Sequence, residues 1–220
     1  MKTSSYKVTL TGSSPLLMHA DNPRGGEMVK AWTKNPQNRK LSVAGDDRSP
    51  AFTWLNYLYH DGKQLVMDVD CVMAMLREAG AKCPNPNGRG SLKSQTQSGF
   101  IAEGLGWDFK VNGKNIPWAP LNALFDESDF EKHEEVAKSL GFELFMKRAR
   151  VGQNKHIRIR PRFDNWVVTG SLLVLDPAMT ENIVEMVFQQ AGFYVGLCDW
   201  RPGSRTPGQF GRFEAKVQKV

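Results

Sequence analysis

A chain of 220 residues, of which 40% are hydrophobic and 24% charged, has the composition of a globular protein with one substantial core. These values exclude an intrinsically disordered chain, and no apolar run reaches the length of a membrane-spanning helix. The net charge of +6 and the pI of about 9.3 favour a polyanionic partner. Three cysteines without a CxxC pair argue against a zinc finger. Since the amino end shows no targeting segment, we expect reduced thiols and a cytoplasmic location.

The first half of the chain alternates between clear elements and polar connections. Alternating apolar and polar residues over 6–12 predict a first strand. The stretch 68–82 predicts a helix that is capped by Asp70 and terminated by Gly80. Residues 83–99 have the composition of a flexible loop.

The second half contains the most regular patterns. The sequence VNGK at 111–114 predicts a β-hairpin turn, and 128–140 predicts an acidic helix. The clearest helix follows Thr180, which we expect to be its cap, and Gly192 is expected to end it. A glycine-rich connection then leads to a final strand, RFEAKVQKV.

This order of strand, helix, strands, helix and strand predicts the fold class. It is the order of an α+β, ferredoxin-like (RRM-like) split βαβ core, with a glycine-rich loop before the last strand. We expect one domain over 1–220, with large insertions at about 24–68 and 83–135. Two helices would cover one sheet face, and the other face would be free to bind a ligand, as in RNA-recognition domains.

The stretch KHIRIRPRF at 155–163 carries the strongest functional signal. Its basic residues occupy every second position, and Ile157, Ile159 and Phe163 lie between them. Because side chains alternate across a strand, one face would be cationic and the other largely apolar. Successive cations would stand about 6.6 Å apart, close to the phosphate spacing of an extended nucleic-acid strand.

A solvated sheet face is the alternative interpretation of this alternation. Such a face normally mixes both signs of charge, whereas 144–163 contains seven lysines and arginines and no carboxylate. The stretch therefore favours an anion-binding face. We expect Arg158 and Arg160 to be exposed, so that replacing both with glutamine leaves the fold intact. The candidate ligands to nucleic acid in this stretch are Lys147, Arg148, Arg150, Lys155, His156, Arg158, Arg160 and Arg162.

Other candidate sites are less specific. Arginines alternate with glycines late in the chain, where a backbone can approach a ligand closely, and Arg201, Arg205 and Arg212 are further candidates. His19, in the loop after the first strand, is a weak candidate for a general base. Asp68 and Asp70 are explained more simply by helix capping than by a metal site. We expect no metal and no cofactor.

Several of these segments together resemble the RAMP superfamily, the RNA-binding subunits of CRISPR effector complexes. The resemblance lies in the first strand running into SSPLLMH, the helix CVMAMLREAG, and the late segment GLCDWRPGSRTPGQFGRFEAKV. It implies a ferredoxin-like core and places Arg77 near a guide RNA. Lys93, in the polar loop, is a further candidate ligand.

The function expected from these features is a non-catalytic, single-stranded RNA (guide RNA) binding subunit, of the backbone or 5′-end-capping type. Its partners would be RNA and the other protein subunits of a ribonucleoprotein complex. Two alternatives remain open. One is a metal-independent endoribonuclease of the same superfamily, with His19 or His156 as acid or base. The other is a phage single-stranded DNA-binding or annealing protein.

Overall fold

Ten strands and six α-helices form the elements of the computed structural model, which describes residues 3–151 and 153–220. The strands are β1 (Ser4–Gly12), β2 (Leu16–Leu17), β3 (Val66–Asp68), β4 (Phe100–Ala102), β5 (Gly106–Val111), β6 (Lys114–Asn115), β7 (Glu143–Val151), β8 (Asn154–Phe163), β9 (Trp166–Val174) and β10 (Phe213–Lys219). The helices are α1 (Pro23–Lys34), α2 (Val69–Lys82), α3 (Lys93–Ser98), α4 (Trp118–Asn122), α5 (Phe130–Ser139) and α6 (Glu181–Gln190). The protein is thus a mixed α+β fold.

The strands form two antiparallel sheets. The main sheet has the order β10-β1-β9-β5-β3, with β4 beside β9 and β6 beside β5. The second sheet has the order β2-β8-β7, and β7 and β8 form a long hairpin. The strand β5 falls within 83–135, so this segment supplies an inner strand of the main sheet as well as connecting chain.

The main sheet has one apolar face and one polar face. Alternate residues such as Val8, Phe109 and Val168 are fully buried, and they join the buried residues of α2 and α6 in one apolar cluster. The second sheet belongs to the same cluster, because the ring of Phe163 meets that of Phe109 edge to face at 5.1 Å. The intervening residues of β1, β9 and β10 point to the polar face.

The predicted VNGK hairpin is confirmed. It joins β5 to β6 through Asn112 and Gly113, whose φ angles are 51° and 76°. Positive φ at both central residues is the requirement of the tight hairpin turn that matches strand twist, and Asn-Gly meets it with the least strain.

The predicted helix at 68–82 forms, but two details were wrong. Asp68, not Asp70, is the N-cap, and its carboxylate accepts a hydrogen bond from the backbone N–H of Asp70. Gly80 lies inside α2, where a Cβ would stand 2.1 Å from the hydroxyl of Thr96. The glycine is therefore needed for close packing against α3, which forms within the stretch 83–99 that was predicted to be a loop.

The last helix also continues beyond its predicted end. Thr180 occupies the N-cap position of α6 without a side-chain capping bond, and a wider turn follows over Ala191–Val195. Gly196, with φ of 75°, ends it. Gly192 instead permits close approach to β10, because a Cβ there would stand 2.1 Å from the carbonyl oxygen of Phe213.

The segment 24–68 and α5 pack behind the second sheet through a buried histidine. Trp54 donates its indole N–H to Nδ1 of His133 over 3.0 Å, so that nitrogen is unprotonated. The other ring nitrogen, Nε2, lies 3.0 Å from the carbonyl oxygen of Glu127 and carries the proton. His133 is fully buried, and this burial lowers its pKa below the ordinary value of 6.5.

We predict that His133 makes stability depend on acidity. The unfolded chain binds a proton at His133 more readily than the native protein does, so the free energy of unfolding falls as the pH drops below about 6.5. Glutamine can accept from the indole and donate to the carbonyl without titrating. Urea unfolding over a pH series should therefore show a shallower acid loss for His133→Gln than for the wild type; equal slopes would contradict this account.

Candidate nucleic-acid interface

The hairpin of β7 and β8 presents the predicted two-faced pattern. Ile159, Pro161 and Phe163 of β8 are buried, and the basic residues between them are partly exposed. Ile157 is only partly buried, and its backbone pairs with the chain at 45–47. The alternation of the arginine strand is thus confirmed over 158–163.

A groove of about 440 Å³ runs between this hairpin and the glycine-rich loop at 196–212. The register of the hairpin places Lys147 opposite Arg158 and Phe145 opposite Arg160, on the face that forms the groove. The loop supplies the opposite wall. The residues that line the groove are Leu17, Phe145, Lys147, Arg148, Ala149, Arg158, Arg160, Asp199, Trp200, Ser204, Arg205 and Thr206.

Carboxylates from distant segments meet the arginine strand, contrary to the expectation of a wholly cationic face. Asp47, which is 4% exposed, lies 2.8 Å from Nη1 of Arg158 and 3.6 Å from Nη1 of Arg160. Asp199 of the glycine-rich loop accepts from Nε of Arg160 over 2.8 Å. The arginines therefore fix the hairpin to its neighbours, and their charge is partly neutralised.

Arg162 is also paired. Its guanidinium lies 2.9 Å from Asp164 and 3.8 Å from Glu143, at the end of the hairpin away from the tip. Both carboxylates lie one residue outside the stretch 144–163, which itself contains no acidic residue.

Two arginines of the glycine-rich loop hold the loop in place. Arg201 donates to Glu78 of α2 over 2.7 Å, and the guanidinium of Arg212 donates to the carbonyl oxygen of Phe193. Arg205 differs from both. It is exposed, lines the groove, and among the described residues has no ion-pair partner.

Trp200 forms the aromatic part of the groove wall. Its backbone has a φ of 47°, which is unusual for a residue with a side chain, and its N–H donates to Asp199. The ammonium of Lys147 lies 3.3 Å from the centre of the indole ring, and the ring of Phe210 lies 5.4 Å away. A Cβ on Gly208 would overlap the backbone of Trp200, so glycine is required there.

His19 lies beside the groove, on the far side of Arg160. Its Nδ1 stands 3.7 Å from Asp199, and its ring meets Tyr57 at 4.7 Å. Burial, reinforced by the charge of Arg160, lowers the pKa of His19 below 6.5 although Asp199 opposes the shift. The histidine is thus neutral near pH 7 and partly open to solvent.

The remaining candidate cations are dispersed. Arg150 and Lys155 are exposed and occupy opposite positions on the two strands near the hairpin tip. His156 packs against Gly45. Arg77 on α2 and Lys93 at the start of α3 are exposed on the helices and do not line the groove. The structure therefore brings together Lys147, Arg148, Arg158, Arg160 and Arg205, and leaves the others outside the groove.

Sequence reasoning missed three residues of this region. Asp47 lies in a polar loop, and Trp200 and Tyr57 lie in segments that carry no periodic pattern. The dense apolar run at 51–59 and the isolated tryptophan between Asp199 and Arg201 were the available signals.

The polar face of the main sheet offers no stacking platform. Its described residues on β1, β5, β9 and β10 are Ser5, Lys7, Thr9, Thr11, Gly106, Asp108, Lys110, Val167, Thr169, Ser171, Leu173, Glu214, Lys216 and Gln218. None is aromatic, and the charges are of both signs. Recognition of bases by rings on this face, as in RNA-recognition domains, is therefore not supported.

Within 3–151 and 153–220, no three histidine, cysteine or acidic side chains cluster as metal ligands would. No helix in those ranges combines the length and apolarity needed to cross a bilayer.

A scan against protein-family models and a search of curated proteins both return no match for this chain. The resemblance to the RAMP superfamily therefore rests on the sequence features given above.

We predict that the arginine strand contributes to stability, in contrast to the expectation from sequence. Replacing Arg158 and Arg160 together with glutamine leaves Asp47 buried without a cationic partner. Losing one side of a buried ion pair typically costs about 3 kcal/mol. Urea unfolding should show such a loss for the double variant, and Arg162→Gln, whose partners are exposed, should lose less than about 1 kcal/mol. An unchanged double variant would mean that Asp47 needs no counter-charge.

Proposed function

We propose that the protein is a non-catalytic, single-stranded RNA-binding subunit whose ligand lies in the groove between the β7–β8 hairpin and the glycine-rich loop. The observation that carries the proposal is the composition of this groove. Cations line both walls, and the aromatic rings of Phe145 and Trp200 lie among them with aliphatic side chains. A single nucleic-acid strand needs both kinds of surface, since its phosphates are anionic and its bases are flat and apolar.

The strand order supports a ferredoxin-like core for this subunit. In β10-β1-β9-β5 the first strand is central, and α2 connects β1 to β5 while α6 connects β9 to β10. The units β1-α2-β5 and β9-α6-β10 therefore interleave in one sheet, which is the split βαβ arrangement. A ferredoxin-like core followed by a glycine-rich loop is what the resemblance to the RAMP superfamily implies, and we extend the proposal to that family and to a guide RNA as ligand.

The contribution of each cation differs. Lys147, Arg148 and Arg205 have no carboxylate within ion-pair distance among the described residues, so each can neutralise a phosphate at full charge. Arg148 follows Lys147 on β7, so its side chain leaves the strand on the opposite face from that of Lys147. The charge of Arg158 is partly neutralised by Asp47, and the charge of Arg160 is partly neutralised by both Asp47 and Asp199. We therefore assign the main phosphate contacts to Lys147 and Arg205, with Arg158 as a fixed secondary contact.

This assignment predicts a change in salt dependence. The double variant Lys147→Gln/Arg205→Gln should bind a labelled oligouridylate of about twelve nucleotides more weakly at low salt. Each lost phosphate contact on a single strand removes about 0.7 from the slope of log affinity against log salt, so the slope should fall by about 1.4. Fluorescence anisotropy over a salt series measures both quantities.

A matched control removes the same charge elsewhere. Lys7 and Lys216 lie on the polar face of the main sheet and are exposed. Lys7→Gln/Lys216→Gln should leave the salt slope unchanged. Equal losses in the two double variants would show that net charge, and not the groove, governs binding. A DNA oligomer of the same length tests the DNA-binding alternative, because comparable or better affinity for DNA favours it.

The neutral His19 beside the groove is the observation that favours the ribonuclease alternative. It stands close enough to Asp199 and Arg160 for a base and a cationic group to act on one phosphodiester. We expect labelled RNA to stay intact when incubated with the protein in EDTA. Cleavage that is lost in His19→Ala would replace the non-catalytic proposal with this alternative.

A further inference from the structure

The aromatic wall of the groove carries a more specific inference, which rests on the function proposed above. We propose that the indole of Trp200 is a stacking site for one unpaired nucleobase, and that Lys147 covers this site in the free protein and moves to a phosphate when RNA binds. The proposal concerns recognition of bases, whereas the salt dependence described above concerns recognition of phosphates.

The local backbone is organised around Trp200. Cys198 and Trp200 both have positive φ angles, 60° and 47°, which residues with side chains adopt rarely. Such conformations persist where surrounding contacts enforce them, and they concentrate at binding sites. Here the enforcing contacts are the hydrogen bond from the Trp200 N–H to Asp199, over 2.8 Å, and the close approach of Gly208.

The indole ring of Trp200 has both aromatic and cationic neighbours. Phe210 lies against it at 5.4 Å with the rings tilted by 32°, and Phe145 in turn contacts Phe210 at 5.7 Å. The three rings form one aromatic cluster that holds the indole in place. The ammonium of Lys147 lies over the indole, 3.3 Å from the ring centre, in the space that a stacked base would occupy.

Lys147 is suited to leave this position. It is exposed, sits on a flexible aliphatic stem, and among the described residues has no carboxylate to hold it. An ammonium over an indole gains a modest electrostatic attraction at an exposed site. A base can replace it on the ring while the ammonium turns to the adjacent phosphate, so the indole is covered and the ammonium has a partner in both the free and the bound state.

The experiment compares two ligands that differ in bases alone. One is an oligouridylate of about twelve nucleotides, and the other is an abasic ribose-phosphate oligomer of the same length. Trp200→Leu keeps an apolar side chain without the ring, and we expect it to weaken oligouridylate binding by roughly five- to a hundredfold, the range for losing one base–aromatic stack. Binding of the abasic oligomer should be unchanged. Trp200→Phe should restore most of the affinity.

Controls separate this inference from the function on which it rests. Trp32→Leu makes the same change on α1, outside the groove, and should affect neither ligand. Equal weakening of both ligands by Trp200→Leu, or of neither, would overturn the stacking site while leaving phosphate binding standing. If the wild type binds neither ligand at low salt, the proposed function fails and the stacking site with it. Circular dichroism of each variant checks that the fold is retained. If Trp200→Leu unfolds, Trp200→Phe decides instead, because its ratio of oligouridylate affinity to abasic-oligomer affinity must stay near the wild-type ratio.

Discussion

The buried carboxylate of Asp47 is the interaction on which the groove depends. Its own N–H donates to the carbonyl of Ile157 over 3.0 Å, and its side chain accepts from the N–H of Ile159 over 3.1 Å. Arg158, Arg160 and the hydroxyl of Tyr57 complete its surroundings. A carboxylate taken out of water is costly unless charges and hydrogen bonds replace its hydration. Because β8 supplies most of those replacements, Asp47 fixes the position of the hairpin relative to the core.

The same contacts divide the cations of the groove into two kinds. Arg158 and Arg160 are held on one wall by carboxylates and keep a constant geometry. Lys147 and Arg148 on the hairpin and Arg205 on the loop have no such partners in the described chain. For the single-stranded ligand proposed above, the fixed charges would set register and orientation. The mobile charges would adapt to phosphates whose spacing varies in a flexible strand, and they would contribute most of the salt dependence.

Local pattern was sufficient to predict much of this fold and little of its site. The helix at 68–82, the last helix, the VNGK turn and the alternation of β8 follow from periodicity and turn chemistry, which act over a few residues. The helices α1, α3 and α4 lie in stretches without a clear period and were not predicted. The partners of the arginines could not be predicted in this way, since Asp47 and Arg158 are 111 residues apart. Gly80 and Gly192 show the same limit. A glycine that ends a helix and one that admits a neighbouring backbone are identical in sequence, and packing alone distinguishes them.

Two of the three arginines in the glycine-rich loop hold the loop itself in place. A loop with this much glycine loses much conformational entropy on becoming ordered, so it keeps one shape only if strong contacts hold it. Arg201 supplies such a contact to Glu78, at a point where Gly203 lets the chain approach that carboxylate closely. Arg212 supplies another at the end of α6. These two side chains make the loop rigid, and that rigidity holds Trp200 and Arg205 at the groove wall.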